Sequence, residues 1–428
     1  MPDLIHADTG ALRAAHDDAR KKLDAFATRG LKLDLTRGKP ANAQLDLSSA
    51  LLALPGQDDY LAADKTDARN YGGLQGLAEL RALLAPAFGL TADTTIIGGN
   101  TSLGLMHDAI VYALLAGTPD SARPWSREET VKFLCPVPGY DRHFAICEDF
   151  GIEMVLVPID ADGPDMDLVE ELVAGDPSIK GMWSIPKYSN PTGTVYSAEV
   201  VERLAKMKAA APDFRIWWDN AYALHHLTDE RVEIANIVEA CARHGHPNRA
   251  LVFGSTSKIT LAGAGVALFG SSPANVAWYL KRMGRRTIGG DKVNQLRHVR
   301  MLKNADGLLA RMDEHRAIIA PKFRTVLDTF DAFLSGSGVA QWTDPKGGYF
   351  ISLDVLDGCA SAVVKLAKQV GVELTPAGST YPYGKDPNDR NIRIAPTYPD
   401  AATIGPAAEG VALSVLVATT GRLLEGRA

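Results

Sequence analysis

The chain has 428 residues, of which 46% are hydrophobic and 22% charged; that is enough length for two domains and an ordinary balance for a globular enzyme. Its net charge of −6 excludes the strongly basic footprint of a nucleic-acid binder or of a protein drawn to anionic membranes, leaving one local basic stretch over Lys281–Arg286. Four scattered cysteines (Cys135, Cys147, Cys241 and Cys359) have neither Cys-x-x-Cys nor metal-ligand spacing, so unpaired thiols in a reducing compartment are expected, and no metal.

The N-terminus carries acids and lysines where a secretory leader would carry an apolar core. No uninterrupted apolar run reaches the roughly 20 residues that a membrane span needs. A cytoplasmic protein with no membrane or nucleic-acid partner is the expectation. From Thr9 to Phe26 the spacing of Leu12, His16, Leu23 and Phe26 predicts an amphipathic helix, so residues 1–30 are expected to form a helical arm packing on this chain or on a partner subunit. Leu33 to Pro40 then reads as a short strand stopped by the basic turn Arg37-Gly38-Lys39-Pro40, which either is solvated or approaches an anionic ligand.

Asn70-Tyr71-Gly72-Gly73 precedes a helix with Leu77, Leu80, Leu83 and Leu84 facing inward. Thr95-Ile96-Ile97 leads into Gly98-Gly99-Asn100-Thr101-Ser102 and another helical pattern. Strand, Gly-rich turn and helix suit a phosphate, because the first backbone amides and the helix dipole favour an anion. Apolar strand-like runs then alternate with helical stretches. Val131–Leu134 ends at Pro136 before Tyr140, Gly181–Ile185 ends before Asn190-Pro191-Thr192-Gly193, Arg215–Trp218 ends at Asp219, and Ala250–Phe253 ends in Gly254-Ser255-Thr256-Ser257-Lys258, with a further run at Val266–Phe269. Such alternation implies a mostly parallel sheet covered on both faces, and ligands of these sheets lie beyond the carboxyl ends of the strands. Tyr140, Asn190, Asp219 and Lys258 all fall there. A lysine so placed can form a Schiff base and becomes nucleophilic when burial or charge depresses its pKa.

Past about Ala320 the pattern changes to shorter elements. Gln341-Trp342 and Gly347–Leu353 read as strands, Cys359–Gln369 as a helix, Asn391–Ala395 as a strand and about Ala407 to Leu424 as a closing helix. Residues 56–319 are therefore expected to form a large domain, and residues 31–55 with 320–428 a smaller α/β domain.

With these pieces in order, the chain resembles the class I aminotransferases of the fold-type I pyridoxal-phosphate enzymes, whose large domain carries a mostly parallel seven-stranded sheet. Ser255-Thr256-Ser257-Lys258 matches the family's Schiff-base lysine motif, Asp219 and Tyr222 its Asp-x-x-Tyr, and Asn190-Pro191-Thr192-Gly193 its Asn-Pro-x-Gly. Arg393 in Asn-Ile-Arg-Ile matches the arginine that binds the substrate α-carboxylate, and Tyr71 the tyrosine that reaches the phosphate of the neighbouring subunit's cofactor. The resemblance implies pyridoxal 5′-phosphate as cofactor and a homodimer with shared active sites. It implies that Asp219 pairs with the pyridine nitrogen, that Tyr222 and Asn190 hydrogen-bond the ring 3-oxygen, and that Tyr140 stacks on the ring. Asn100, Thr101, Ser102, Ser255 and Ser257 would hold the phosphate, and Gly38 would lie at the substrate. Lys258 would act as general base once its amine is free.

Two positions depart from the pattern. Where the family usually has a phosphate-binding arginine, eight residues beyond the lysine, this chain has Val266. The residue reading the substrate side chain is open among Arg142, Arg285, Arg286 and Arg297, with Arg142 favoured because it lies two positions past Tyr140. The combination Thr-Arg-Gly-Lys-Pro, Pro-Gly-Tyr-Asp-Arg-His-Phe and Ser-Thr-Ser-Lys is most similar to the divergent type Ic branch of aspartate aminotransferases, which implies L-aspartate and 2-oxoglutarate as substrates. The alternatives are an aminotransferase for alanine, 2-aminoadipate or aromatic donors, and the effector-binding domain of a transcription regulator. A regulator would carry a winged-helix domain ahead of the fold, whereas only about 30 residues, reading as one helix, precede the first strand here.

Overall fold

The computed structural model describes residues 2–427. One large sheet runs in the order Thr95–Ile97, Ala267–Gly270, Ala250–Ser255, Arg215–Asp219, Ile179–Ser184, Lys132–Val137, Glu153–Asp160 and Gly163–Pro164. The five strands from Ala250–Ser255 to Glu153–Asp160 are mutually parallel, and Ala267–Gly270 runs antiparallel to both of its neighbours. Seven strands make the expected sheet. The eighth, Gly163–Pro164, is a two-residue return pairing with the end of Glu153–Asp160. Strands Ile179–Ser184 and Arg215–Asp219 are buried along their whole length, which is why their sequences read as continuous apolar runs and not as alternating ones. The strand expected to stop at Pro136 continues to Val137. Beyond Leu134 it pairs only with Glu153–Asp160, so Pro136 can lack a donor without breaking a ladder on its other side.

A second, antiparallel sheet joins Ala340–Trp342, Ile351–Val355 and Asn391–Ile394, and Leu33–Asp34 pairs in parallel with Val372–Glu373. The alternation expected from Gly347 does not begin until Ile351. Gly347 and Gly348 instead lie against Tyr188: a Cβ on Gly347 would stand 2.2 Å from that ring, and Gly348 has φ +89°. Residues 1–30, expected as an arm, form the helix Thr9–Ala27, capped by the Asp8 carboxylate accepting from Ala11 N, and bury Leu12, Leu23 and Phe26 in one apolar cluster with Ile404, Val411 and Val415. His16, expected on that face, is half-buried and bonded to Thr420 Oγ1 at 2.9 Å. The closing helix runs over Ala401–Glu425, six residues earlier than expected, and carries Pro406 in its interior. By length and composition this helix could cross a membrane, but its apolar side chains line the core just described.

The helix Ala305–Leu334 passes through the boundary expected near residue 320 without a break. Its Leu308 and Met312 belong to an apolar cluster under the large sheet, with Leu134, Trp218 and Val252. Ile319, Phe323 and Phe330 belong to the cluster of the smaller sheet. On the large sheet's other face a third cluster contains Phe133, Trp183, Trp217 and Phe253. All four cysteines are buried and unpaired.

At the edge of the third cluster, Asp213 is buried and accepts from Lys180 Nζ at 2.8 Å, Trp125 Nε1 at 2.8 Å and Ser121 Oγ at 2.7 Å. Burial works against its charge, yet these donors hold the Asp213 carboxyl below its ordinary value. Because the folded value is the depressed one, its contribution is present above about pH 4 and is lost as pH falls through the folded value. Asp213→Ala leaves the buried Lys180 ammonium with only the Glu128 carboxylate, 3.7 Å away, and is expected to destabilise by about 3 kcal/mol. The measurement is urea unfolding at pH 7, where an unchanged midpoint would remove Asp213 from this role.

Candidate active site

Strand Arg215–Asp219 alternates its side chains across the sheet, sending Trp217 and Asp219 to the face of the third cluster and Trp218 and Asn220 to the opposite face. Beyond it the turn returns Tyr222, and beyond the neighbouring strand Ala250–Ser255 the chain presents Ser255, Ser257 and Lys258. These side chains open into a cavity of about 280 Å³ that also meets Thr101, Ser102, Tyr140, Asn190 and, from the smaller sheet, Phe350 and Arg393. Pieces separated by nearly 300 residues thus meet at the carboxyl edge of one sheet, as the alternation of runs predicts.

Lys258 is half-buried, with Nζ 4.9 Å from the centre of the Tyr222 ring and 5.9 Å from that of Tyr349. Desolvation lowers its pKa, against the pull of the Asp219 carboxylate. Burial raises Tyr222 well above the usual tyrosine range and raises Tyr140 to about 12, so both stay protonated donors at neutral pH. Asp219 is buried, and His143 Nε2 lies 3.1 Å from its Oδ2 while Oδ1 has no partner. His143 is itself fixed by stacking on Trp183, with ring centres 4.2 Å apart and planes 7° apart. Asn190 Oδ1 is also buried without a partner.

The floor of the cavity is built for an anion. Thr101 caps the helix Ser102–Ala116, its Oγ1 accepting from Leu103 N at 3.2 Å, so the amides of that helix start point at the cavity. Ser257 Oγ donates to Asn100 O at 2.9 Å, and Ser255 Oγ lies 3.2 Å from Ser257 Oγ. Asn100 therefore supports the floor without lining it. Val266 does not point there: it is buried in the cluster beneath the sheet, with its N–H on Thr256 Oγ1 at 3.0 Å. The backbone of the neighbouring Gly265 packs so closely on Ser257 that a Cβ there would stand 3.0 Å from Ser257 N. Hydroxyls and helix-start amides make up this floor.

Pyridoxal phosphate fits these groups. The unpartnered Asp219 Oδ1 accepts what a protonated ring nitrogen donates, Asn190 and Tyr222 offer hydrogen bonds to a ring oxygen, and the floor suits a phosphate.

Two arginines also line the cavity. Arg393 is buried, lies 5.0 Å over the Phe350 ring, and pairs through Nη1 with Asp141 Oδ1 at 3.1 Å, leaving its buried Nε without a partner. Gly38 is pressed against Phe350, where a Cβ would stand 2.1 Å from Cζ. Arg142 lines the cavity, is exposed, and makes no ion pair among the described residues. Arg285, Arg286 and Arg297 do not line it: Arg286 pairs with Asp108 at 3.0 Å, and Arg297 donates to the Leu54 carbonyl. Tyr71 is likewise absent from its own chain's cavity. It stands 83% exposed on a loop that Lys292 pins by donating to Asn70 O and Gly72 O at 2.6 Å each.

Sequence reasoning missed His143, Asp141 and Phe350. His143 was legible as a polar residue on the buried face of Asp141–Asp149, one turn past Tyr140. The partnership of Asp141 with Arg393 spans 252 positions and left no local signal.

A family model described as aspartate amino-transferase matches residues 8–427. An aspartate aminotransferase of Corynebacterium glutamicum is 53% identical over 403 residues, covering 94% of this chain and 93% of that protein. The crystal structure of an aspartate transaminase from Corynebacterium glutamicum superposes with a TM-score of 0.96 at 51% identity, covering 98% of this chain and 99% of that one. The structure of LysN, an α-aminoadipate aminotransferase of Thermus thermophilus complexed with N-(5′-phosphopyridoxyl)-L-leucine, shares the fold at a TM-score of 0.72 and 20% identity, covering 96% and 97% of the two chains.

Proposed function

Because this chain belongs to the aspartate aminotransferase family of fold-type I pyridoxal-phosphate enzymes, we propose that it moves the amino group of L-aspartate to 2-oxoglutarate, giving oxaloacetate and L-glutamate. The class of reaction, transamination between amino acids and 2-oxo acids, follows from the family. The choice of dicarboxylic substrates rests on one observation: two arginines, Arg393 and Arg142, line the same cavity. An arginine fork holds a carboxylate by two aligned, charge-assisted hydrogen bonds, and two forks suit a substrate with a carboxylate at each end.

Bound pyridoxal phosphate supplies the electron sink that makes the α-proton of an amino acid acidic. The chain's own residues do the rest. Lys258 Nζ, its ammonium form disfavoured by desolvation, would hold the cofactor's aldehyde and, as a free amine, would serve as the base for the substrate α-proton. Asp219 holds a positive charge at the ring nitrogen, and His143 keeps its carboxylate turned for that purpose. Tyr222 and Asn190 orient the ring from its oxygen side, Tyr140 covers a face, and Thr101, Ser102, Ser255 and Ser257 hold the phosphate with Asn100 behind them. Arg393 takes the α-carboxylate over Phe350 and Gly38, and Arg142 the distal one.

Exposure of Tyr71, away from the cavity of its own chain, supports a homodimer in which Tyr71 serves the partner's phosphate. The expected solution mass is about twice the 45.8 kDa of the chain, and a fully active monomer would contradict the arrangement. The substrate reading is tested with a panel of amino donors against 2-oxoglutarate. Aspartate should lead alanine, phenylalanine and 2-aminoadipate. Arg142→Ala should lower kcat/KM for aspartate about 100-fold and for alanine much less, whereas Arg393→Ala should damage every donor. Equal losses for aspartate and alanine in Arg142→Ala would remove Arg142 from the distal site.

Asp141 supports one more expectation. Its carboxylate occupies Arg393 in the absence of substrate, so an incoming α-carboxylate has to displace it. Asp141→Asn is expected to lower KM for aspartate and alanine alike, by about threefold to tenfold, with kcat nearly unchanged. A raised KM would show instead that Asp141 orients the guanidinium.

A further inference from the structure

A second cavity, of about 370 Å³, is separate from the catalytic one. It lies on the opposite face of the same strand end, where Trp218 and Asn220 point away from Asp219. Its apolar wall includes Phe88, Trp218 and Leu309, and its mouth is the segment 231–237. A volume of this size suits a small metabolite.

Four ionisable side chains line it: Lys187, His226, Arg231 and Glu233. Two are already committed. Arg231 pairs with Asp313 at 2.8 Å, and His226, bonded to Tyr188 Oη at 2.7 Å, is kept neutral at physiological pH because burial pulls it down to about 4. The other two, Lys187 and Glu233, have no ion pair within 4 Å among the described residues. Lys187 is only 6% exposed and donates to Ala223 O at 2.7 Å, which leaves two of its three N–H groups free. Asn220 is 4% exposed, and its buried Oδ1 has no partner. The cavity thus offers one unpaired cation, one unpaired carboxylate, an unused buried acceptor and an apolar wall. Burial lowers Lys187 to about 8 against the pull of the Glu233 carboxylate, which lies beyond ion-pair distance, and a carboxylate bound directly to Nζ would offset that cost.

We propose that this cavity binds an α-amino acid with an apolar side chain, its carboxylate on Lys187, its ammonium toward Glu233 and Asn220 Oδ1, and its side chain against Phe88, Trp218 and Leu309. The site is separate from the catalytic cavity and does not rest on which donor the enzyme uses. Neither an anion nor a cation alone satisfies both unpaired charges, and a purely apolar guest would leave Asn220 Oδ1 and Lys187 without partners.

The test is titration calorimetry of L-phenylalanine into holoenzyme whose catalytic site is saturated with succinate, a dicarboxylate without an amine. One L-phenylalanine per chain should bind under these conditions, with 3-phenylpropanoate and 2-phenylethylamine, which each lack one charge, at least tenfold weaker. Glu233→Gln, at an exposed position where folding is not at risk, and Lys187→Met should each weaken L-phenylalanine at least tenfold while succinate still binds. Absence of L-phenylalanine binding beside succinate would overturn the proposal. So would binding that both variants leave unchanged, or 3-phenylpropanoate binding as tightly as the amino acid. If the catalytic site takes no dicarboxylate, succinate does not bind and L-phenylalanine binding that survives Lys187→Met and Glu233→Gln is assigned to the catalytic site, so the two readings fail separately.

Discussion

The site depends on an amine kept poor in water beside a carboxylate that is not allowed to pair with it. Lys258 and Asp219 share one cavity, and contact between them would spend both. The Asp219 carboxylate is instead turned by His143, which is locked by Trp183, while Lys258 lies over Tyr222. Desolvation then lowers the lysine pKa even though a carboxylate nearby acts to raise it. The aromatic residues behind these groups, Trp183, Trp217 and Phe133, belong to one buried cluster and make the low-dielectric wall that this balance requires.

The same sheet edge carries both charge patterns described above because a strand alternates its side chains. Asp219 and Asn220 are consecutive, yet one faces a cavity with two arginines and the other a cavity with one unpaired charge of each sign. Lys187 holds the two cavities at a fixed spacing, since its bond to Ala223 O fastens the turn that also carries Tyr222. The chain therefore uses a single turn as the common wall of two polar chambers.

Much of the catalytic cavity was legible in the sequence because apolar strands ending in small or polar residues announce where a sheet presents its edge. Lys258, Asp219, Tyr222, Asn190, Tyr140 and Arg142 belong to such ends or to the turns and helix starts that follow, whereas Arg393 lies within the strand Asn391–Ile394 and was reached by its motif. What escaped belongs to long-range partnership. Nothing near Asp141 says that it meets Arg393, and the stacking of His143 on Trp183 needs the whole sheet to be in place. Local chemistry also misled: Gly347-Gly348 looked like the start of a strand but is a close approach to Tyr188, and the closing helix, read from about Ala407, begins at Ala401. In both places tertiary packing overrode a local preference.

The unbroken helix Ala305–Leu334 links the two halves of the cavity mechanically. Lys258 and Asp219 stand on the sheet that the first turns of this helix pack against, while Arg393 and Phe350 stand with the cluster that holds its later turns. Backbone bonds from Leu227 N to Lys346 O and from Gly348 N to His225 O also join the two parts, beside this rod. Its softest point is set by Pro321, which has no N–H to give to the carbonyl of Ala317 one turn earlier. That gap falls where the packing passes from Met312 to Ile319, so the missing backbone hydrogen bond of the rod lies at the joint between the two cores.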